Sequence, residues 1–236
     1  MSTVICLGGG EIGRLGVRSL LGDGARVLVV DPDENCLARP LCQRRVDSAD
    51  EVLDCGEGRA LYMKGDGVDV LMDVLQRWTP DQVVPAAPGH LAARLGMAWS
   101  LGSYRPIVPF GGPLLKMVDA LPADTVRLID SVQGVLAASH MPSDMRCQEG
   151  CEQPSVCPAT GKELTPMHQL VDRALAETVD RRSVMVTIGT KVGAIRGGDI
   201  RKMLDALGSL GVAMTMGIAT SCRCHAIVNI IRHGSE

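Results

Sequence analysis

The run Gly8-Gly9-Gly10-Glu11-Ile12-Gly13 limits the fold of this chain more than any other feature. It satisfies G-x-G-x-x-G directly after an apolar stretch, Val4–Leu7, and opens an amphipathic stretch of helix length, Ile12–Leu21. A second apolar stretch, Arg26–Val30, ends on Asp31, 18 positions after Gly13. Strand, glycine loop, helix, strand and acid, in that order, are the signature of a dinucleotide-binding βαβ unit. In that reading Gly8 permits the tight turn, Gly10 lets the backbone approach a pyrophosphate, and Gly13 allows the helix to pack close on the strand. The first helical turn, with Glu11 and Ile12, would bring free N–H groups and the positive end of the helix dipole to the phosphates. Asp31 would accept from a ribose 2′-hydroxyl and repel a 2′-phosphate, favouring NAD over NADP. The competing reading is that the glycines serve only turn and packing. Glu11 weighs on that side, because a carboxylate in the first turn competes with phosphate for the same donors.

The alternation continues. Ala60–Met63 reads as a short strand, Asp66–Arg77 as a helix with apolar residues at 68, 70, 71, 74 and 75, Gln82–Pro85 as a strand, Leu91–Leu101 as a helix and Pro106–Pro109 as a strand. Such alternation predicts a Rossmann-like parallel sheet with helices on both faces. A boundary is expected near 110–124, where Gly111-Gly112-Pro113 and Leu121-Pro122 occur. It divides the chain into a dinucleotide-binding domain, 1–120, and a second, smaller α/β domain, 121–236. In the second domain Thr125–Asp130 and Gly134–Ser139 read as strands, Met167–Val179 as a helix, Ser183–Ile188 as a strand, Asp199–Leu210 as a helix and Val212–Ala219 as a strand. The β-branched tail Ala226–Arg232 reads as a last strand. The polar stretch from Met141 to Pro166 breaks all periodicity, too long for an idle connection.

Residues 1 to about 100 resemble the NAD-binding domain of Trk-type potassium-uptake regulators, the RCK domains. The matching residues are Val4–Gly13, Val29-Val30-Asp31, Lys64-Gly65-Asp66-Gly67-Val68-Asp69-Val70-Leu71 and Asp81-Gln82-Val83-Val84-Pro85-Ala86-Ala87. The resemblance implies a bound NAD, with Asp66 capping a helix near the adenosine. The chain beyond residue 110 does not look like that family's ligand-sensing domain.

Five of the nine cysteines fall in two tight groups, Cys147-x3-Cys151-x5-Cys157-Pro158 and Cys222-x-Cys224. The first three sit among glutamines, glutamates and a glycine, a polar loop with nothing to pack that ligand bonds to a metal could order. Iron–sulfur centres take four thiolates, often three in one loop and one remote, with Cys-Pro closing the run. That pattern points to an iron–sulfur centre of the 4Fe-4S kind held by Cys147, Cys151, Cys157, Cys222 and Cys224, one thiol being spare. Structural zinc, which favours paired cysteines, is the alternative, and reduced thiols without metal the third reading. Which of Cys222 and Cys224 ligates is left open, since positions i and i+2 of an extended segment share a face. His225 could replace a thiolate or bond a cluster sulfur, and His140 is a weaker version of the same idea. His90, beyond the Gln82–Pro85 strand, could contact a nicotinamide. The loop Ile188–Asp199, with Lys191 and Arg196, reads as an anion cradle or as a plain connector.

Composition removes several other classes. Aromatic residues make up 2% of the chain and the net charge is -3, so neither stacking platforms nor a basic patch for nucleic acid is present. No apolar run reaches the roughly 18 residues that span a bilayer, and the start lacks a signal peptide's basic flank. The expected protein is cytoplasmic and homo-oligomeric. It combines a NAD site (FAD being the alternative) with an iron–sulfur or zinc centre and works with a protein redox partner. Nicotinamide gives up a hydride whereas a cluster passes single electrons, so a NAD- or flavin-linked oxidoreductase competes with a non-enzymatic nucleotide- and redox-sensing regulator.

Overall fold

The computed structural model describes residues 2–145, 151, 153–189 and 192–234. They form a mixed α/β structure in two compact units, residues 1–98 with 191–201 and residues 99–190 with 202–236.

The first unit is built on β1 (Thr3–Leu7), all five residues of which are buried. A continuous β-branched and aliphatic run is what a strand covered on both faces needs. The chain continues through α1 (Glu11–Gly22), β2 (Arg26–Asp31), the two-residue β3 (Arg45–Val46), β4 (Ala60–Lys64), α2 (Gly67–Arg77), β5 (Gln82–Pro85) and α3 (Leu91–Ser103). The strands lie in the order β5-β1-β2-β4-β3 and all these pairs are parallel, with Val4 opposite both Val27 and Gln82. After β1 the sheet grows on one side through β2 and β4, and the chain then crosses to the other side for β5. In α2 the stripe Val68, Val70, Leu71, Val74 and Leu75 is buried, as its 3.6-residue period requires. At about 1.5–3 kcal/mol per fully buried aliphatic side chain, such a stripe outweighs any helix propensity term. In α1 the buried positions are Gly13, Gly16 and Val17, so the helix meets the sheet through residues with little or no side chain.

The second unit contains β6 (Ile107–Pro109), α4 (Leu114–Asp119), β7 (Val126–Asp130), β8 (Val135–Ser139), α5 (Met167–Ala176) and β9 (Arg181–Val186). The chain then returns to the first unit as β10 (Ile195–Arg196), antiparallel to β5, with Ile195 opposite Val83. It ends in α6 (Gly197–Gly208), β11 (Thr215–Ser221) and β12 (His225–His233). The second sheet has the order β7-β8-β12-β11-β9, with β6 also on β12; β9 and β11 are parallel and the other pairs antiparallel. Leu114 and Met117 of α4 and Met167, Val171 and Leu175 of α5 bury against Leu136, Ala219, Val228 and Ile230 of the sheet. Gly217 makes the close approach of α5 feasible, for a Cβ there would lie 2.4 Å from Leu175 Cδ2.

The structure alters three sequence expectations. The first sheet is mixed rather than parallel, because β10 adds an antiparallel strand from a loop read as a cradle or connector. Two residues between Ala194 and Gly197 carry no readable period. The units divide between Ala98 and Trp99, inside α3, whereas the sequence signals pointed to 110–124. Part of that expected boundary is α4, whose six residues are too few to show a helical repeat. The stretch after Met141 is not uniformly irregular, since Val156 bridges Glu163 around a tight turn. The tail is a strand, as its β-branched composition suggested. Among the described residues no helix is long and apolar enough to cross a membrane.

Candidate functional site

Two loci carry the site residues expected from sequence, one in each unit. In the first, Gly8 has φ +103° and donates its N–H to Val30 O at 2.9 Å. A Cβ on Gly8 would lie 2.8 Å from the backbone of Ala86 and Ala87, and one on Gly13 would lie 1.9 Å from Gly8 O. Both glycines are demanded by the backbone itself. Gly10 is different. Its φ is −66° and nothing lies within 4 Å of a Cβ built on it, so the protein's own packing gives no reason for glycine there. Gly10 caps α1 without a side-chain hydrogen bond, and helix geometry leaves the first N–H groups without intrahelical partners. Open space and unspent donors therefore coincide at this helix end. Glu11 is exposed there, and Ile12 is 56% exposed despite being aliphatic.

Asp31 closes the loop from the other side. Its Oδ2 accepts the Gly9 N–H at 2.6 Å and its Oδ1 the Asp33 N–H at 2.8 Å. Its carbonyl receives the Tyr62 hydroxyl at 2.8 Å and the Gly65 N–H at 3.3 Å. Four bonds fix the residue in place. A carboxylate offers about four lone-pair directions, so each oxygen retains capacity for a further donor. Asp66 caps α2, accepting from Val68 and Asp69 N–H at 2.8 and 3.3 Å, and lies 3.4 Å from the Arg94 guanidinium. Gly67 follows where a Cβ would lie 3.2 Å from the Leu7 side chain, which seats the β4–α2 junction beside the end of β1. Gly8, Asp31 and Asp66 thus gather at the carboxyl ends of β1, β2 and β4. His90, buried, follows Gly89 beyond β5.

Sequence reading missed what lies behind the loop. Cys36 Sγ would be 2.3 Å from a Cβ on Gly9, and Cys6 Sγ 3.4 Å from one on Gly13. Cys42 donates to Ala38 O at 3.6 Å, and Ala38 N–H donates to Gly9 O at 2.8 Å. Burial, reinforced by Cys42, Cys36 and Asp31, pushes the Cys6 thiol up to about 12, and burial takes Cys42 to about 12 as well. These are inert, protonated thiols at neutral pH. Scattered spacing hid them. The only available signal was that Cys6 sits inside an apolar strand.

The second locus is the hairpin turn Cys222-Arg223-Cys224 between β11 and β12. Cys222 N–H donates to His225 O at 2.9 Å, closing the turn, and Cys222 Sγ accepts from the N–H groups of Cys224 and His225 at 3.3 and 3.2 Å. Cys157 opens another tight turn. Its N–H donates to Lys162 O at 2.8 Å and its carbonyl accepts Gly161 N–H at 2.7 Å, with Gly161 at φ +66°. Thr160, through its side chain and N–H, and Ala159, through its N–H, hold the Cys157 thiol below the ordinary thiol range. Cys151 Sγ accepts the Gln153 N–H at 3.4 Å. At Cys157 the donors aimed at sulfur favour thiolate over thiol.

These turns are brought together. Cys157 and Cys224 bury with Met141 and Leu164, and Cys222 and Ala159 pack against them. Gln153 Oε1 accepts the Arg223 N–H at 2.9 Å, which ties the segment carrying Cys151 and Cys157 to the peptide between Cys222 and Cys224. Cys222 Sγ lies 3.4 Å from His225 Nδ1, whose imidazole is held below its ordinary value by burial and by His140. His140 is itself 2.8 Å from Thr165 O through Nε2. The expectation that this loop had nothing to pack is therefore corrected, since Cys157 is buried among apolar neighbours. Cys147 and Lys191 lie outside the described residues, and Arg196 lies in β10 opposite Gln82. Among the described residues no three His, Cys, Asp or Glu side chains converge closely enough to hold a metal ion. The donors suit thiolate ligation in chemistry, but a closed three-donor shell is not formed by the described residues alone.

Two family models match the chain. One, AF_1314_C, described as an uncharacterized protein, C-terminal domain, covers residues 105–234. The other, AF_1314_N, described as an uncharacterized protein, N-terminal domain, covers residues 3–91. No curated protein and no solved structure matches.

Proposed function

The chain belongs to the AF_1314_C family, and from the chemistry of its two loci we propose that it is a redox protein, binding a dinucleotide through the first unit and a thiolate-held metal centre through the second. The observation that carries the first half is Gly10, a glycine with empty space around its missing side chain at an uncapped helix end. The strand order, reversing at β1 with Gly8, Asp31 and Asp66 at the strands' carboxyl ends, supports a Rossmann-type site. So does the resemblance of residues 1 to about 100 to RCK domains. In this reading the α1 N-terminus and the Gly10 backbone take the pyrophosphate, with Glu11 and Ile12 at the rim. Asp31 holds a ribose hydroxyl and disfavours NADP, and Asp66 lies by the adenosine. FAD is the alternative ligand.

The second half rests on two turns that pack together: Cys222 Sγ accepts two backbone N–H groups, and Thr160 and Ala159 hold the Cys157 thiol below its ordinary range. With Cys147 and Cys151 they would hold an iron–sulfur centre, with zinc as the alternative. When bound, an iron–sulfur centre supplies one-electron chemistry and zinc only structure. The protein's own contribution is to hold the Cys157 thiol below its ordinary range and to shelter Cys157 and Cys222 beside Met141, Leu164 and Ala159.

Anaerobic purification followed by metal and sulfide analysis, with titration by NADH, tests both halves. Absorption near 400 nm with labile sulfide supports the iron–sulfur form, and about one zinc per chain without colour supports the structural form. Bleaching of the chromophore by NADH marks an oxidoreductase, whereas NADH binding without turnover marks a regulator. Absence of metal and of nucleotide binding overturns the proposal.

A further inference from the structure

Counted outward from β1, the first sheet is lopsided. On one side stand β2, β4 and β3, each parallel to its neighbour. On the other stands β5, parallel to β1, and then β10, antiparallel to β5. A fold that encloses both nucleotides of a dinucleotide is built from two halves, each of three parallel strands, that meet at the central crevice. Here β1, β2 and β4 make one half. Of the other half only β5 is present among the described residues, because β10 holds the edge where its next parallel strand would form.

That edge is firmly held. Ile195 and Arg196 lie opposite Val83 and Gln82, and Ala194 and Ile195 are buried. Ahead of them, Val192 packs between α1 and β5, since a Cβ on Gly16 would lie 3.5 Å from both Val192 Cβ and Val84 Cγ1. Behind them, Gly197 N–H donates to Asp81 O at 3.2 Å, and a Cβ on Gly197 would lie 1.9 Å from Pro80 O. One turn further, Arg201 donates from Nη2 to Leu75 O at 2.6 Å and from Nε to Thr79 Oγ1 at 2.8 Å. The reversed strand direction has a chemical consequence. It starts α6 beside Pro80 and Asp81, at the amino end of β5, so the free N–H groups of that helix open away from the glycine loop. A parallel strand would have delivered its helix N-terminus to the ligand side.

The groups left for a nucleotide are those of one half. Gly10 with the α1 N-terminus suits the pyrophosphate, and Asp31, each of whose carboxylate oxygens holds one N–H and keeps capacity for another donor, suits a ribose. His90, expected from sequence near a nicotinamide, is buried. Resting on the dinucleotide reading of this unit, we propose that it holds its ligand by the adenosine diphosphate moiety alone. ADP, ADP-ribose, NAD+ and NADH are then one ligand class. The nicotinamide ring is left outside the grip of the unit, and its oxidation state, a difference confined to that ring, is not read there.

Calorimetric titration of the full-length protein with ADP, ADP-ribose, NAD+, NADH and nicotinamide mononucleotide tests this. The first four are expected to bind within about threefold of one another, a spread below about 0.7 kcal/mol, and the mononucleotide not at all. In saturation-transfer spectra of NADH, the adenine and adenosine-ribose protons should receive magnetisation from the protein and the nicotinamide protons should not. Gly10→Ala should weaken all four ligands to the same degree. Binding of NAD+ or NADH more than about threefold tighter than ADP, a larger gap than that between NAD+ and NADH, or saturation of the nicotinamide ring overturns the proposal and leaves the dinucleotide reading standing. Binding by none of the four overturns that reading, and the proposal with it.

Discussion

The backbone N–H of Gly9 donates to Oδ2 of Asp31 at 2.6 Å, joining the glycine loop to the end of β2 across 22 positions of sequence. The acid is thus oriented by the loop that is proposed to hold the pyrophosphate. Asp31→Asn retains an acceptor oxygen but loses the charge. It should weaken NADH binding about tenfold and narrow the preference over NADPH, at a stability cost of about 1–2 kcal/mol, since bonds to charged groups are worth more than neutral ones. Calorimetric titration with both nucleotides checks this. Unchanged NADH affinity would remove Asp31 from the site.

Gly10 and Gly13 make opposite predictions. A Cβ on Gly13 would lie 1.9 Å from Gly8 O, so Gly13→Ala must displace α1 from the loop and should cost about 2–4 kcal/mol. Gly10→Ala meets nothing within 4 Å and should leave stability within about 0.5 kcal/mol of wild type. It should nevertheless impair nucleotide binding, because the methyl group enters the space reserved for phosphate. Thermal unfolding separates the first effect and nucleotide titration the second. A Gly10→Ala protein that binds NADH normally would refute the pyrophosphate assignment.

Cys222 and Cys224 are expected to differ in role. Cys222 Sγ receives two backbone N–H groups at 3.3 and 3.2 Å, whereas Cys224 is buried with Met141 and Leu164. Cys222→Ser should lose bound metal, and Cys224→Ser should retain it while unfolding at lower temperature, since a hydroxyl replaces a small apolar group in a core position. Metal content per chain by mass spectrometry, paired with thermal melts, decides between them. The reverse pattern would make Cys224 the ligand.

Alkaline pH should destabilise the first unit through its buried thiols. Cys6 and Cys42 stand at about 12 in the folded protein against an ordinary 9.0. The raised value means the folded state holds the proton more tightly, so the stabilisation is complete below pH 9 and is lost as pH rises from 9 towards 12. Denaturant titrations at pH 8, 9.5 and 10.5 should show falling stability, with a shallower fall in Cys6→Ala. At pH 8 iodoacetamide should leave Cys6 and Cys42 unmodified while labelling half-exposed Cys55. Ready alkylation of native Cys6 would contradict the buried, protonated thiol.

Much of the first unit was readable from local signals, because its rules are local. The apolar run of β1, the Gly8–Gly13 spacing and the 3.6-residue stripe of α2 each occupy a few consecutive residues, and the capping role of Asp66 came from the family resemblance. Their physics (strand burial, positive φ, helix periodicity, N-cap bonding) operates over that same distance. Elements too short to hold a period, such as α4 and β10, left no trace of this kind. Pairings across tens of residues were equally silent. Chain folding alone decided that Cys36 lies under Gly9 and that Gln153 meets the peptide after Cys222. Side-chain type names what a residue can do, whereas the company it keeps depends on contacts between distant segments, whose loop-closure cost is met only when the whole core assembles.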